Sequence, residues 1–558
     1  MFLIFSLLCG FEPTVSKTGD KSRRLSKSET PAGAATSTQA VPAKQSQLAK
    51  GTGYGDSCTS PRNTALSVLL PSTRKPAPMP FDTKSHPMLS AMIARSPMLR
   101  HAAQLLRHAT IEEIDTHCGP ASAVLDFLRA IADHEDTTSI VRREQTLFPC
   151  AAQLPQILSS VVPNHGTPGA AIYETGQSLH AIIEQLATPC RKFVAASGRV
   201  ANMEGEINQE SLAVMKQICR MADSLTATHP PEPEAREAKE SDQQPALAGD
   251  STDKGKEQAE TSLQAIAKDA SEWHRANCVK DVPDEKILAG YHFKDAILFD
   301  AGSHARSRIK KILTQVTSLS ADLPEGVFVR YGEGRPDLLK ILIVGPDDTP
   351  YEHGLFEFDM FCDKDFPKTP PLMHFRTTGG GVAHFNPNLY ANGTICLSLL
   401  GTWKGHPWEP DRSSILQILV SIQAMIFNSQ PYYNEPGYER NTNQTGAETY
   451  NKKVELLTIP HAMTYWMTHR LKNPRASAPS SSGVAGPIPA NSKAPHAEYR
   501  YDDDAIWGDV IRKHFELKGR MMLDTAKKWE AKQPDAPGMK NLVRDLQYRL
   551  REYGFLSE

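Results

Sequence analysis

Apolar positions along this chain come in blocks, separated by long stretches that have almost none. From Glu12 to about Pro80 the residues are mainly Ser, Thr, Lys, Pro and Gly. So little apolar material cannot offset the entropy of ordering, and residues 1–85 are expected to be mostly disordered. Over 86–226 Leu- and Ala-rich runs take over: Val124, Leu125, Leu128 and Ile131 recur at helical spacing, with similar runs at Leu179 to Leu186 and Leu212 to Met221. This pattern predicts an all-helical module, read as a scaffold or substrate-docking element because no phosphate loop, metal motif or serine elbow occurs in it. Residues 227–290, where Pro230, Pro231 and Pro233 crowd together, read as a linker. A second break at 474–500 carries Pro479, Gly483, Pro487, Pro489 and Pro495.

The two breaks bracket a domain at 291–473 whose pattern alternates between periods. Ile309, Ile312, Leu313 and Val316 share one helix face. The apolar run Leu338 to Val344 then stops at Gly345-Pro346-Asp347-Asp348 and resumes at Leu355, with Phe356, Phe358 and Met360 on one side. That is the signature of an antiparallel hairpin. Further on, Ile415, Ile418, Leu419, Ile422, Met425 and Ile426 keep a 3.6-residue period behind Ser413 or Ser414, either of which can cap the helix. Helix, antiparallel strands, an irregular segment and then more helices make an α+β order. A last helical extension is expected over 501–558.

Charge adds little direction. Lys and Arg (62) nearly balance Asp and Glu (64), so no global field points to nucleic acid or to an anionic membrane. The nine cysteines are scattered and form no Cys-x-x-Cys pair. Their spacing suits neither a disulfide framework nor a zinc finger, and no metal ligands are assigned. A reducing cytoplasmic or nuclear setting follows as the expectation. The apolar opening Met1 to Phe11 lacks the basic residues that precede a signal core and is too short to span a bilayer. Secretion is also disfavoured by the sequon Asn392-Gly393-Thr394, where a glycan would crowd Cys396.

Cys396 is where the candidate chemistry lies. It ends the stretch Phe385-Asn386-Pro387-Asn388-Leu389-Tyr390-Ala391-Asn392-Gly393-Thr394-Ile395-Cys396, and Leu397-Ser398-Leu399-Leu400 follow. This segment resembles the active-site segment of ubiquitin-conjugating enzymes, a His-Pro-Asn turn followed by Gly-x-(Ile/Val)-Cys-Leu. Three further stretches resemble that family in the right order: Gly345 to Gly354, Phe366-Pro367-Lys368-Thr369-Pro370-Pro371 and Trp408-Glu409-Pro410. The run Cys396 to Trp403 and the segment Pro431 to Glu439 are most similar to the large apollon (BRUCE) type and its hybrid conjugating-enzyme/ligase relatives. The resemblance covers roughly Phe299 to Lys472, with a helical tail like theirs at Trp507 to Ala531. The zinc-binding apoptosis-inhibitor repeat of that type is not seen.

The resemblance implies a UBC-like fold: an N-terminal helix, a four-stranded antiparallel sheet, a cysteine-bearing loop and C-terminal helices. It implies that Cys396 takes ubiquitin from the activating enzyme as a thioester and passes it to substrate lysines, with ligase activity of its own as an extension. ATP would be used by the activating enzyme, so no cofactor is expected here. Asn388 would stabilise the oxyanion or brace the loop, and Asn434 or Glu435 would orient the lysine. Arg306, Arg308, Lys310 and Lys311 would meet the activating enzyme, while Pro367, Lys368 and Pro410 would form a partner surface. Lys368 and Asp411 stand where many relatives present an aromatic and a small residue to a RING ligase, which argues against that recruitment. Asn386 replaces the usual histidine, a mostly structural residue. His384, His406 and Cys362 are given no catalytic role. Expected partners are ubiquitin, the activating enzyme, protein substrates and a ligase, with no nucleic acid and no membrane. The competing readings are a catalytically silent ubiquitin-binding scaffold of the same fold and a cysteine hydrolase. The first would lack the cysteine, and the second would need a paired histidine.

Overall fold

The computed structural model describes residues 56–72, 75–86, 88–94, 96–143, 145–147, 174–200, 207–227, 269–299, 306–438, 443–472 and 505–556. The expected disorder over most of 1–85, most of the 227–290 linker and the whole 474–500 break lie outside these residues. The chain divides into two compact units, with divisions falling inside three of its helices.

In the first unit, helix α1 (Asp56–Leu69) packs against α3 (Cys118–Ala132), with α2 (Pro97–His108) between them in sequence and α4 (Glu135–Arg142) following. The stripe expected on α3 is buried, Val124, Leu125, Leu128 and Ile131 each at 1% exposure or less. Ser96 caps α2 by accepting from the Leu99 N–H at 3.0 Å. The module also holds a short antiparallel ladder, β1 (Gln145–Leu147) with β2 (Glu174–Gly176), which three-residue strands without a clear period had concealed. Two helices follow, α5 (Leu179–Ser197) and α6 (Gln209–Ala227).

The second unit is built on a five-stranded sheet in the order β3 (Val279–Val282), β4 (Val327–Gly332), β5 (Leu338–Val344), β6 (Leu355–Phe361) and β7 (Leu372–Phe375). The four antiparallel strands expected are β4 to β7. β3 adds a fifth, parallel to β4, and is preceded by a helical segment over 269–277. Both belong to residues placed above at the end of the linker.

Register explains how the sheet divides its faces. The row Val329, Ile341, Phe358 and Phe375 lies on one face, and the next row, Arg330, Lys340, Asp359 and His374, on the other. On the apolar face Phe356 meets Phe427 at 4.6 Å and Phe385 at 5.3 Å between ring centroids, so the aromatic core reaches up to the segment that bears Cys396. The charged face is buried too, and its charges are paired. Lys340 Nζ sits 2.6 Å from Asp359 Oδ1, and Arg470 reaches Glu357 at 3.3 Å. The long helix α11 (Gly508–Lys532) and the residues before it cap this face: Trp507 Nε1 donates to Glu357 at 2.9 Å, and Arg330 donates to Asp509 at 3.2 Å.

Helix α7 (Arg306–Asp322) buries Ile309, Ile312, Leu313 and Val316, as its period predicted. After the cysteine segment, α8 (Ile415–Ser421) begins in a capping box in which Ser414 Oγ accepts from Gln417 N and Gln417 Oε1 accepts from Ser414 N. It then widens into a π-helical turn over Ile422–Ile426, where Phe427 N–H bonds the Ile422 carbonyl five residues back. That extra residue turns Met425 outward to 63% exposure, although the helical period had placed it with the buried stripe. α9 (Gln444–Thr458), α10 (Tyr465–Arg470) and, beyond α11, α12 (Met539–Glu552) complete the unit. Among the described residues no helix is long and apolar enough to cross a membrane.

Candidate active site

Two isolated bridges, Asn386 with Leu389 and Leu389 with Ile395, fold the segment into a narrow double turn. At its tip Gly393 N–H bonds the Tyr390 carbonyl at 2.9 Å and takes φ +87, a region that favours glycine. A Cβ there would also lie 2.1 Å from ring atoms of His374. The chain then returns so that Cys396 N–H bonds the Asn388 carbonyl at 2.9 Å, and Asn388 Nδ2 donates to the Cys396 carbonyl at 2.8 Å. The cysteine is thus clamped to the turn by two bonds, each from one residue to the other's carbonyl.

A second clamp comes from the far side. Thr402 Oγ1 accepts from Leu397 N–H at 2.9 Å and donates to the Ile395 carbonyl at 2.7 Å, gripping the residues either side of the thiol. Sequence reasoning gave Thr402 no role, because no local signal marks a hydroxyl six residues downstream as a clamp.

Cys396 is 9% exposed. Burial pushes its thiol pKa up, and a hydrogen bond with the Tyr390 side chain pulls it back. Tyr390 is 41% exposed and stacks on the His384 ring at 5.3 Å. Its own pKa is raised, chiefly by negative charge on Cys396 and also by Glu435. Tyr390 lies in the motif, but nothing in the sequence alone gives it a role. His384 packs beside it with a lowered pKa, from burial first and then from Lys453, which keeps the ring neutral. His406 is exposed. Cys362 is fully buried, its pKa driven well up by burial, as a core thiol should be.

Behind the cysteine lies an asparagine network. Asn386, with no exposure, donates to Tyr351 Oη at 2.9 Å and to the Ile426 carbonyl at 2.8 Å. Its Oδ1 accepts from Asn388 N–H at 2.8 Å and from Asn434 Nδ2 at 3.2 Å. Asn434 Oδ1 in turn accepts from Asn428 Nδ2 at 2.9 Å, while Asn434 and Asn428 both donate to the Met425 carbonyl of the π turn. Of the two residues considered for lysine orientation, Asn434 therefore has its amide engaged in bracing. Glu435 is exposed, and its charge acts on both Tyr390 and His384.

The residues expected to meet partners are placed as follows. Trp408 Nε1 donates to the Pro367 carbonyl at 2.7 Å, joining the segments that carry Pro367 and Pro410, and Lys368 and Pro410 are exposed. Arg306 opens α7, and Lys310 and Lys311 are half-buried. Arg308 departs from the expectation. Its side chain is 2% exposed, and Nη1 donates to the carbonyls of Cys362 at 2.6 Å and Asp363 at 2.9 Å. It ties α7 to the end of β6 and is not presented to a partner; a one-letter helix pattern cannot tell a basic residue on the solvent face from one turned inward.

With this geometry in hand, comparison with known proteins is direct. Residues 309–458 match the profile of the ubiquitin-conjugating enzyme family. A probable ubiquitin-conjugating enzyme protein 17 of Caenorhabditis elegans is 48% identical over 179 residues, covering 31% of this chain and 24% of that protein. The human dual E2 ubiquitin-conjugating enzyme/E3 ubiquitin-protein ligase BIRC6 is 42% identical over 192 residues, 33% of this chain and 4% of that one. A probable ubiquitin-conjugating enzyme E2 of Acanthamoeba polyphaga mimivirus is 30% identical over 286 residues, 49% of this chain and 18% of the relative. The chain thus spans a quarter or less of the length of these three relatives.

Proposed function

Because the chain carries a UBC-fold ubiquitin-conjugating enzyme domain, related to hybrid conjugating-enzyme/ligase proteins, we propose that it accepts ubiquitin as a thioester on Cys396 and transfers it to lysine. The observation that carries the reading is the pair of clamps on the cysteine. Asn388 and Thr402 hold the backbone on both sides of a thiol that keeps a narrow opening to solvent.

In the first step Cys396 Sγ attacks the thioester carbonyl on the activating enzyme, the new S–C bond forms, and the enzyme's cysteine leaves as thiolate. A thiol with a raised pKa is mostly protonated at neutral pH, so it is charged only when a partner aligns the thioester. The same property makes it a slower leaving group, which protects the bound thioester from stray attack.

In the second step a neutral lysine amine attacks, the carbonyl oxygen becomes an oxyanion, and collapse expels Cys396 thiolate, which takes up the proton shed by the attacking nitrogen, and leaves an isopeptide bond. An amide carries two N–H donors. Asn388 uses one on the Cys396 carbonyl, and the other is placed in this reading on the oxyanion, where a fixed donor acts most in the transition state. Glu435, exposed beside Tyr390, orients the incoming amine, and Asn434 braces the turn. Ubiquitin and its activating enzyme are the partners, the Pro367, Lys368 and Pro410 surface is a further docking site, and ligase activity of its own would parallel the hybrid relatives. A cytoplasmic or nuclear setting suits the unpaired thiol.

The test is a charging assay with activating enzyme, ATP and ubiquitin, resolved on reducing and non-reducing gels. A thiol-sensitive adduct that is absent from Cys396→Ala is expected. No adduct, or one that survives the substitution, sinks the proposal.

A further inference from the structure

We propose that Asp347, Glu352 and His353, in the turn between β5 and β6, form a binding site for one divalent transition-metal ion of the zinc class. One donor atom from each of the three lies within 4.8 Å of the others. His353 Nε2 is 3.3 Å from Glu352 Oε1, whereas Asp347 Oδ1 lies 3.9 Å from the other ring nitrogen, Nδ1, and must swing toward Nε2 to share an ion with Glu352. Around a tetrahedral ion with bonds of about 2.0–2.1 Å, neighbouring donors sit about 3.3 Å apart. The histidine and glutamate already have that separation. Asp347, whose side chain is 69% exposed, is the one with freedom to close in.

The histidine is the second, independent sign. His353 is 1% exposed, yet its Nε2 has no hydrogen-bond partner. A buried polar atom left unpaired calls for an explanation. The contact with Glu352 Oε1 does not provide one, since at 3.3 Å it lacks hydrogen-bond geometry and leaves the nitrogen facing the carboxylate without a bond. An imidazole nitrogen that no neighbour bonds can offer its electron pair to a metal.

The surroundings hold the donors in place. Thr525 Oγ1 donates to Glu352 Oε1 at 3.1 Å, and a His514 ring nitrogen donates to the His353 carbonyl at 2.9 Å; both belong to α11. Asp347 and His353 also line a cavity of about 460 Å³ shared with Lys513, His514 and Lys518, which gives an ion a way in. A nitrogen and two carboxylate oxygens suit Zn²⁺ or Co²⁺ better than Mg²⁺ or Ca²⁺. The search for metal ligands by cysteine and histidine spacing passes over this site because two of its three donors are carboxylates. A bound ion would fasten the β5–β6 turn to α11.

The experiment uses the full chain, stripped with a chelator and titrated with Zn²⁺ against a chromophoric competitor, then with Co²⁺ for its visible absorption. The variants are Asp347→Asn, Glu352→Gln and His353→Asn, the last chosen because Asn tolerates the left-handed backbone that His353 adopts at φ +62. The 19 histidines and nine cysteines add background binding, so the readout is the loss of one tight equivalent. Wild type is expected to take up that equivalent, to give the Co²⁺ band, and to melt at higher temperature with Zn²⁺. All three features should vanish in Glu352→Gln and His353→Asn, each checked for cooperative melting without metal. Thr525→Val should weaken uptake by about tenfold. A tight equivalent that persists in all three ligand variants overturns the assignment, as does wild type that takes up no stoichiometric metal.

Discussion

Replacing Asn388 by Ala separates the two jobs that its amide can do. The bond lost in the resting enzyme is Nδ2 to the Cys396 carbonyl at 2.8 Å. A neutral hydrogen bond of this kind contributes about 0.5–1.5 kcal/mol. Were bracing the only role, charging and discharge would both slow by roughly three- to tenfold, since 1.4 kcal/mol is a factor of ten. Loss of an oxyanion donor costs more, about 10²–10³ in rate, and because the proposed mechanism places the Asn388 donor on the oxyanion of the lysine step, that cost falls on discharge. The expected outcome is therefore a split, with charging down by no more than about tenfold and single-turnover discharge to free lysine down by about 10²-fold or more.

Thr402→Val supplies the control. It removes the clamp on Leu397 N–H and the Ile395 carbonyl while leaving Asn388 in place. Its effect should be roughly the brace-sized one, about 1 kcal/mol, and equal in the two steps. Charging is read from the thioester band and discharge from its decay after the activating enzyme is quenched. If Asn388→Ala slows both steps by the same factor, and that factor matches Thr402→Val, the oxyanion assignment is refuted and the amide is a brace.

Two further outcomes follow from the same geometry. Gly393→Ala places a Cβ at φ +87 and 2.1 Å from the His374 ring, so thermal melting should show a loss of about 2 kcal/mol or more, together with weaker charging; a melt like wild type would mean that the turn relaxes freely. Glu455 is pushed up by burial, to about 7 from its ordinary 4.5, while accepting a bond from Gln533. A carboxyl raised in the folded state stabilises below its unfolded value and loses that contribution as pH rises through the folded one. Stability should thus fall by ~2–3 kcal/mol between pH 4.5 and 8, allowing for partial solvation, and Glu455→Gln should flatten that slope in melts across the range.

Much of this was legible because periodicity and turn chemistry are local. Phe356, Phe358 and Met360 fall on one face because strand side chains alternate, and Ser414 caps α8 because its hydroxyl meets the third amide of the helix. Cys396 stood out through its spacing from the Asn386-Pro387-Asn388 turn. What escaped depends on contacts far apart in sequence or on a change of helical period. β3 has only four residues and owes its place to pairing with β4, nearly fifty residues later. Met425 was placed in the buried stripe because a π turn cannot be read from a 3.6-residue period. Arg308 has ordinary sequence surroundings, and only the tertiary fold assigns it to the Cys362 carbonyl, while Thr402 closes an irregular loop on the Ile395 carbonyl that has no period to reveal it.

The asparagine at 386 shows how one such long-range set is closed. Two N–H groups and two lone pairs give an amide four hydrogen bonds, and Asn386 makes all four, to Tyr351, Ile426, Asn388 and Asn434. An imidazole, as in the usual His-Pro-Asn turn, offers two ring nitrogens and could serve at most half of them. The two left over would be buried or partly buried groups at the turn that holds Cys396, each costing about 1–3 kcal/mol if unpaired. Asn386 is therefore matched to Asn434 and Asn428, which extend its bonds to the carbonyl of Met425 exposed by the π turn. The departure from histidine, the asparagine pair and the π turn form one connected solution, in which the turn that holds Cys396 is fastened to α8 through amides.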